Sequence, residues 1–189
     1  MNINTSILDR LLDTVVSEVP ASVRAFKSDE PVVCLHLVYY DTHAPCAYID
    51  LKITTKSKRA ELYAEDPGDF WDGWGEPGNY SLGELGGDNA DSSSESELFV
   101  KLYDFISEDG KMDENMKLYH DTLARAAYKI NETLPEDFTG ISDDFVVVLG
   151  DGSRWTGGCD PDDVLDCVPP EKLRLLVERG FWDADINSY

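Results

Sequence analysis

Val32-Val33-Cys34-Leu35-His36-Leu37-Val38-Tyr39-Tyr40, the turn-rich Asp41-Thr42-His43-Ala44-Pro45, and Cys46-Ala47-Tyr48-Ile49-Asp50-Leu51-Lys52-Ile53-Thr54 decide the fold. Both flanks alternate, and the middle carries the polar, proline-containing chemistry of a turn, so the stretch reads as a β-hairpin over 32–40 and 46–54. Setting Tyr40 opposite Cys46 puts Val33, Leu35, Leu37 and Tyr39 on one face with Ala47, Ile49, Leu51 and Ile53. Cys34, His36, Asp50 and Lys52 then share the other face, with His36 across from Asp50. One wholly apolar face is what a half-buried antiparallel pair requires.

Upstream, Ile7, Leu8, Leu11, Leu12, Val15, Val16 and Val19 recur at helical spacing. They predict an amphipathic helix from Asn4 or Thr5 to Val19, stopped by Pro20. Downstream, Lys56 to Ala64 reads as a short helix. Residues 65–93 are rich in Gly, Asp and Ser and show no periodicity, so they are expected to form one long loop, with Phe70, Trp71 and Trp74 packing its first half. Ser94 and Glu97 have the spacing of a capping box for a helix ending at Gly110. A second long helix is expected from Asp113 to Leu134. Asp144-Phe145-Val146-Val147-Val148-Leu149 reads as a strand buried on both faces, and two closing helices follow, Asp160 to Cys167 and Pro170 to Arg179. The expected architecture is a single α+β domain over 1–189, a small antiparallel or mixed sheet built on the N-terminal hairpin and packed against amphipathic helices.

The chain has 38 Asp and Glu against 16 Lys and Arg, a formal net charge of −22. That charge is localised. Residues 61–115 carry sixteen acids against two lysines and residues 135–170 carry nine against one arginine, net −14 and −8, so the rest of the chain is balanced. Acidic loops also serve plain solubility. Uniform acidification would nevertheless not leave a neutral scaffold, and two acidic segments on such a scaffold set up a field that steers a basic partner. Direct nucleic-acid binding is disfavoured, because phosphates call for Lys and Arg. No stretch approaches the ~18 apolar residues of a membrane span, and Met1 to Thr5 lack the basic and apolar regions of a signal peptide, so a cytoplasmic protein is expected. Cys34, Cys46, Cys159 and Cys167, irregularly spaced, suit free, mostly buried thiols.

Cys34, His36, His43 and Cys46 are zinc-type ligands. In the hairpin register their two halves lie about 13 Å apart, too far for ligands that must meet within ~2.0–2.3 Å of one point. Asp160-Pro161-Asp162-Asp163 and Asp166 lack the alternation, glycine and terminal glutamate of a calcium loop, and Asp160 is more simply a helix N-cap. No phosphate loop, dinucleotide fingerprint, nucleophile elbow or HExxH motif occurs, so no cofactor and no metal are expected. His36 with Asp50 is the remaining acid/base pairing, and a hydrolase built on it is the third-ranked reading.

The hairpin ending in Val38-Tyr39-Tyr40, the acidic loop with Trp71 and Trp74, the apolar strand Phe145 to Leu149 and the closing Pro169-Pro170 to Arg179-Gly180-Phe181-Trp182 together resemble the small acidic α+β immunity proteins encoded beside bacterial polymorphic toxins. Order and composition carry this resemblance, and it transfers no site residue. It implies an inhibitor that covers the active site of a basic toxin acting on nucleic acid, a nuclease or deaminase. The acids and aromatics expected to meet that partner are Asp66, Asp69, Trp71, Asp72, Trp74, Glu76, Glu84, Asp88, Asp160, Asp162, Asp163 and Asp166, with Trp71 or Trp74 as anchor. The alternative is a non-catalytic regulatory or scaffold module that binds a basic protein or peptide.

Overall fold

The structure, a computed structural model, describes residues 3–40, 47–65, 80–86, 94–134, 140–152 and 161–182. Its elements are α1 (Ile3–Ala25), β1 (Val32–Tyr39), β2 (Ile49–Thr55), α2 (Lys56–Glu65), β3 (Tyr80–Leu85), α3 (Ser94–Ile106), α4 (Met112–Thr133), β4 (Ile141–Asp151), α5 (Pro161–Cys167) and α6 (Pro170–Glu178). The strands form one mixed sheet in the order β3-β2-β1-β4. β2 is antiparallel to both β1 and β3, and β1 is parallel to β4. The α+β class read from the sequence is therefore the observed one.

The hairpin exists, two residues out of the expected register. Leu35 pairs with Ile53, Leu37 with Leu51 and Val38 with Asp50, so His36 faces Lys52 and not Asp50. A shift of two preserves side-chain parity, and Leu35, Leu37, Ile49, Leu51 and Ile53 all remain in the core. The expected half-exposed face is overturned. All eight residues of β1 are buried, because β1 lies between β2 and β4 with helices on both sides of the sheet. On the Cys34 side, α2 packs against β1 and β2, and its Arg59 comes close enough to act electrostatically on the Cys34 thiol. On the other side, Tyr119 of α4 meets Tyr39 edge-on at 6.3 Å, and α1 packs against α3 and α4.

Pro20 does not end α1, which continues to Ala25 with the proline inside. The ring removes one helical hydrogen bond. The buried stripe nevertheless runs on from Val19 to Val23, and Phe26 beyond it packs on Tyr80 at 5.6 Å. Tertiary burial outweighs the local break.

Residues 65–93 are not the one long loop expected: α2 extends to Glu65, and Tyr80–Leu85 pair with β2 as β3. Between the pairs Leu51↔Gly83 and Lys52↔Ser81 the register slips by one, and Leu82 is the extra residue. The bulge moves the apolar positions from 80 and 82 to 85, which erases the period of two that marks a strand. Gly83 sits there at φ +110°, a conformation that favours glycine.

A larger irregularity sits at the start of β4, where Val32 pairs with Ile141 but Cys34 with Val146. The extra residues aim Asp144 at Arg59 of α2, 2.8 Å away and almost fully buried with it. Arg179 reaches Asp144 at 3.2 Å, and Arg59 lies 3.6 Å over the Phe181 ring. Burial works to raise the Asp144 carboxyl, but donation from Ser142 and the two guanidiniums outweigh it and hold the group below its ordinary value.

Candidate functional site

Three strands deliver their C-terminal ends to one edge of the sheet. β1 ends at Tyr39, β4 runs parallel to it and ends at Asp151, and β3, like β1 antiparallel to β2, ends at Leu85. In open sheets of parallel strands, ligands meet the protein outside such ends. Here that edge is acidic and aromatic. Glu84 pairs with Asp50, Asp50 with Val38, and Val38 with Gly150, so the two carboxylates occupy neighbouring positions of one row. In the next row the buried Asp151 pairs with Tyr39.

Like charges directly opposite one another on neighbouring strands repel. Asp50 is relieved by Tyr40, whose hydroxyl donates to Oδ2 at 2.6 Å. Tyr40 is held in turn by Tyr48, its ring 4.8 Å away, and by Gly152 beneath it. A Cβ added at Gly152 would stand 2.5 Å from Cε1 of Tyr40, so only glycine admits the ring there. Burial, followed by the bond to Asp50, pushes the Tyr40 hydroxyl well above its ordinary value, so it remains a donor. Glu84 is exposed.

α5 adds the second group of acids. Asp162 and Asp166, four residues apart, lie on one exposed helix face. Asp163 turns the other way, and its Oδ1 lies 2.8 Å from Nε2 of His120 on α4. The His120 ring meets Tyr39 edge-on at 5.4 Å. The bond to Asp163 raises the His120 pKa against the opposing effect of burial. Asp163, expected to meet a partner, is thus engaged with His120, whereas Asp162, Asp166 and Glu84 are exposed. Through His120 and Tyr39, α5 is tied to the same end of the sheet that carries Glu84, Asp50 and Asp151.

Asp66, Asp69, Trp71, Asp72, Trp74, Glu76, Asp88 and Asp160, as well as Cys46, Cys159 and His43, lie outside the described residues. Cys34 and Cys167 are buried free thiols. Among the described residues no group of three or more His, Cys, Asp or Glu has the arrangement of a metal site. The third-ranked pairing of His36 with Asp50 does not form: Asp50 accepts a hydrogen bond from the Tyr40 hydroxyl, and His36 lies 3.3 Å from Thr54 Oγ1. Burial, with Lys52 adding to it, pushes His36 down to about 4, so the ring is neutral near pH 7. No helix among the described residues is long and apolar enough to cross a membrane.

The sequence hides Asp151, because Gly150-Asp151-Gly152 has the composition of a turn. The signal for it was its place: a carboxylate at the last position of an apolar run that forms a parallel strand. Comparison of the chain with protein-family models, with curated proteins and with solved structures returns no match.

Proposed function

We propose that this chain is an immunity-type inhibitor that binds a basic toxin acting on nucleic acid and covers its active site with carboxylates that stand where substrate phosphates would. The observation that carries the reading is the convergence of Glu84, Asp50 and Asp151 with the α5 acids at one end of the sheet, in a chain whose entire net charge of −22 resides in two segments. Carboxylates arranged on rigid strands complement a cationic cleft, steer encounter and exclude acidic competitors. Neutral His36, bonded to Thr54, is not available to Asp50 for acid/base work, which favours binding over hydrolysis.

The test has two stages. The reading requires a neighbouring gene for a basic protein, and co-expression of this chain should restore growth to cells that such a protein alone kills. Stopped-flow association with that protein should then slow about tenfold when Glu84, Asp162 and Asp166 are replaced by their amides, with a flatter dependence on salt. Unchanged rates would remove the electrostatic account. A stoichiometric basic partner with no toxicity would move the chain to the regulatory or scaffold class.

A further inference from the structure

The two edges of the sheet are finished differently. Along β4 side chains stand against outward backbone groups of Phe145, Val147 and Leu149. Lys172 of α6 donates from Nζ to the Phe145 carbonyl at 2.7 Å. Asn131 of α4 donates from Nδ2 to the Val147 carbonyl at 2.8 Å and accepts from the Val147 N–H at 2.8 Å. The Cys167 thiol at the end of α5 is within hydrogen-bonding reach of the Leu149 backbone. An incoming strand would find these groups already taken.

Among the described residues β3 has only a local contact of this kind, Ser81 Oγ accepting from the Gly83 N–H at 3.2 Å. It is the terminal strand of the sheet, and Tyr80, Ser81, Gly83 and Glu84 are all exposed, Tyr80 to 49%. Proteins commonly blunt an open edge with lysine or proline. Tyr80-Ser81-Leu82-Gly83-Glu84-Leu85 contains neither, and its only charge is Glu84.

We propose that the outer edge of β3 receives an extended basic segment of a partner protein as a fifth strand, with its cationic side chains beside Glu84 and Asp50. The basic sign of the occupant rests on the proposed function and on the charge at this edge. A second copy of this chain is a poor occupant, since pairing β3 with β3 would bring together two Glu84 carboxylates on two bodies of charge −22. The bulge at Leu82 bends the edge, so backbone bonds alone hold a strand weakly and charge complementarity selects which strand stays.

The test follows amide exchange by NMR on the full chain, alone and with a short peptide alternating lysine and valine; a glutamate/valine peptide is the control. The Tyr80–Leu85 amides that face outward should exchange freely in the free chain and slow with the lysine/valine peptide alone. Glu84→Lys, which leaves the backbone intact, should weaken that peptide at least tenfold. Three results overturn the proposal: amides already protected in the free monomer, no slowing with the basic peptide, or self-association through β3. A toxin complex that forms with β3 still exchanging freely would remove this inference and leave the proposed function standing. Peptide capture at β3 by a chain that neutralises no toxin would do the reverse.

Discussion

The side-chain amide of Asn131 pairs with both backbone groups of Val147, giving to the carbonyl and taking from the N–H, each at 2.8 Å, as a neighbouring strand would. The same Nδ2 also donates to the Cys167 carbonyl at 2.8 Å, so one residue of α4 fastens β4 and the end of α5. Asn131→Leu keeps the volume and strands three buried backbone groups. Each such group costs about 1–3 kcal/mol, so a loss of about 3 kcal/mol or more in urea unfolding is expected. A loss below 1 kcal/mol would mean that water reaches β4 and that the edge is not closed.

Arg59 should be the most costly single charge to remove. Its guanidinium and Asp144 are both almost fully buried, so Arg59→Met leaves a buried carboxylate to the Ser142 hydroxyl and the more exposed Arg179. Breaking a buried pair from one side costs about 3–5 kcal/mol, and the lower end is expected here. Because the Asp144 pKa is depressed, its stabilisation is present above the ordinary carboxyl value and is lost as pH falls through the folded value. The gap between wild type and Arg59→Met should therefore narrow in acid, which chemical denaturation at pH 7 and pH 3 can check.

His120 should make stability fall with rising pH. Its pKa lies above 6.5 in the folded chain, so the contribution of the bond to Asp163 is complete below about 6.5 and disappears as pH rises through the folded value. His120→Gln should unfold with a smaller drop between pH 5.5 and 8, and an NMR titration of the imidazole should show the upward shift directly. A His120 titrating below 6.5 would contradict the ion pair.

Gly152→Ala should be harmful only while Tyr40 is present. The new methyl group meets the Tyr40 ring and the Val38 side chain, the latter at 2.9 Å. Overpacking of this kind costs about 1–3 kcal/mol. In a Tyr40→Ala background the added cost should shrink markedly, the non-additivity expected of residues in contact. Equal costs in both backgrounds would place the strain elsewhere.

What the sequence disclosed about the fold was whatever depends on near neighbours. α4 was readable from Tyr119, Leu123, Ala127 and Ile130 at spacings of three and four, and the core of β4 from the run Phe145 to Leu149. The buried free thiol of Cys34 agrees with the sequence, whereas the burial of His36 was not readable, because nothing local to β1 reports what covers it. Pro20 misled because Val23 and Phe26 find partners outside α1. β3 was hidden by its own bulge. At the site, Glu84, Asp162 and Asp166 were named from charge and are exposed, whereas the roles of Asp163 and Asp50 depend on His120 and Tyr40, which only folding brings beside them.

The parallel pairing of Val32 with Ile141 and of Tyr39 with Asp151 joins strands more than a hundred residues apart in the chain. During synthesis, β1, β2 and β3 can assemble from local contacts as soon as residue 85 has left the ribosome. β1, apolar throughout, then waits with one side unpaired until the last quarter of the chain emerges. Long-range pairings of this kind form late and leave a sticky intermediate behind them. The interval between the appearance of β3 and of β4 is thus when the nascent chain is most prone to aggregate, and slowing translation there should lower the soluble yield.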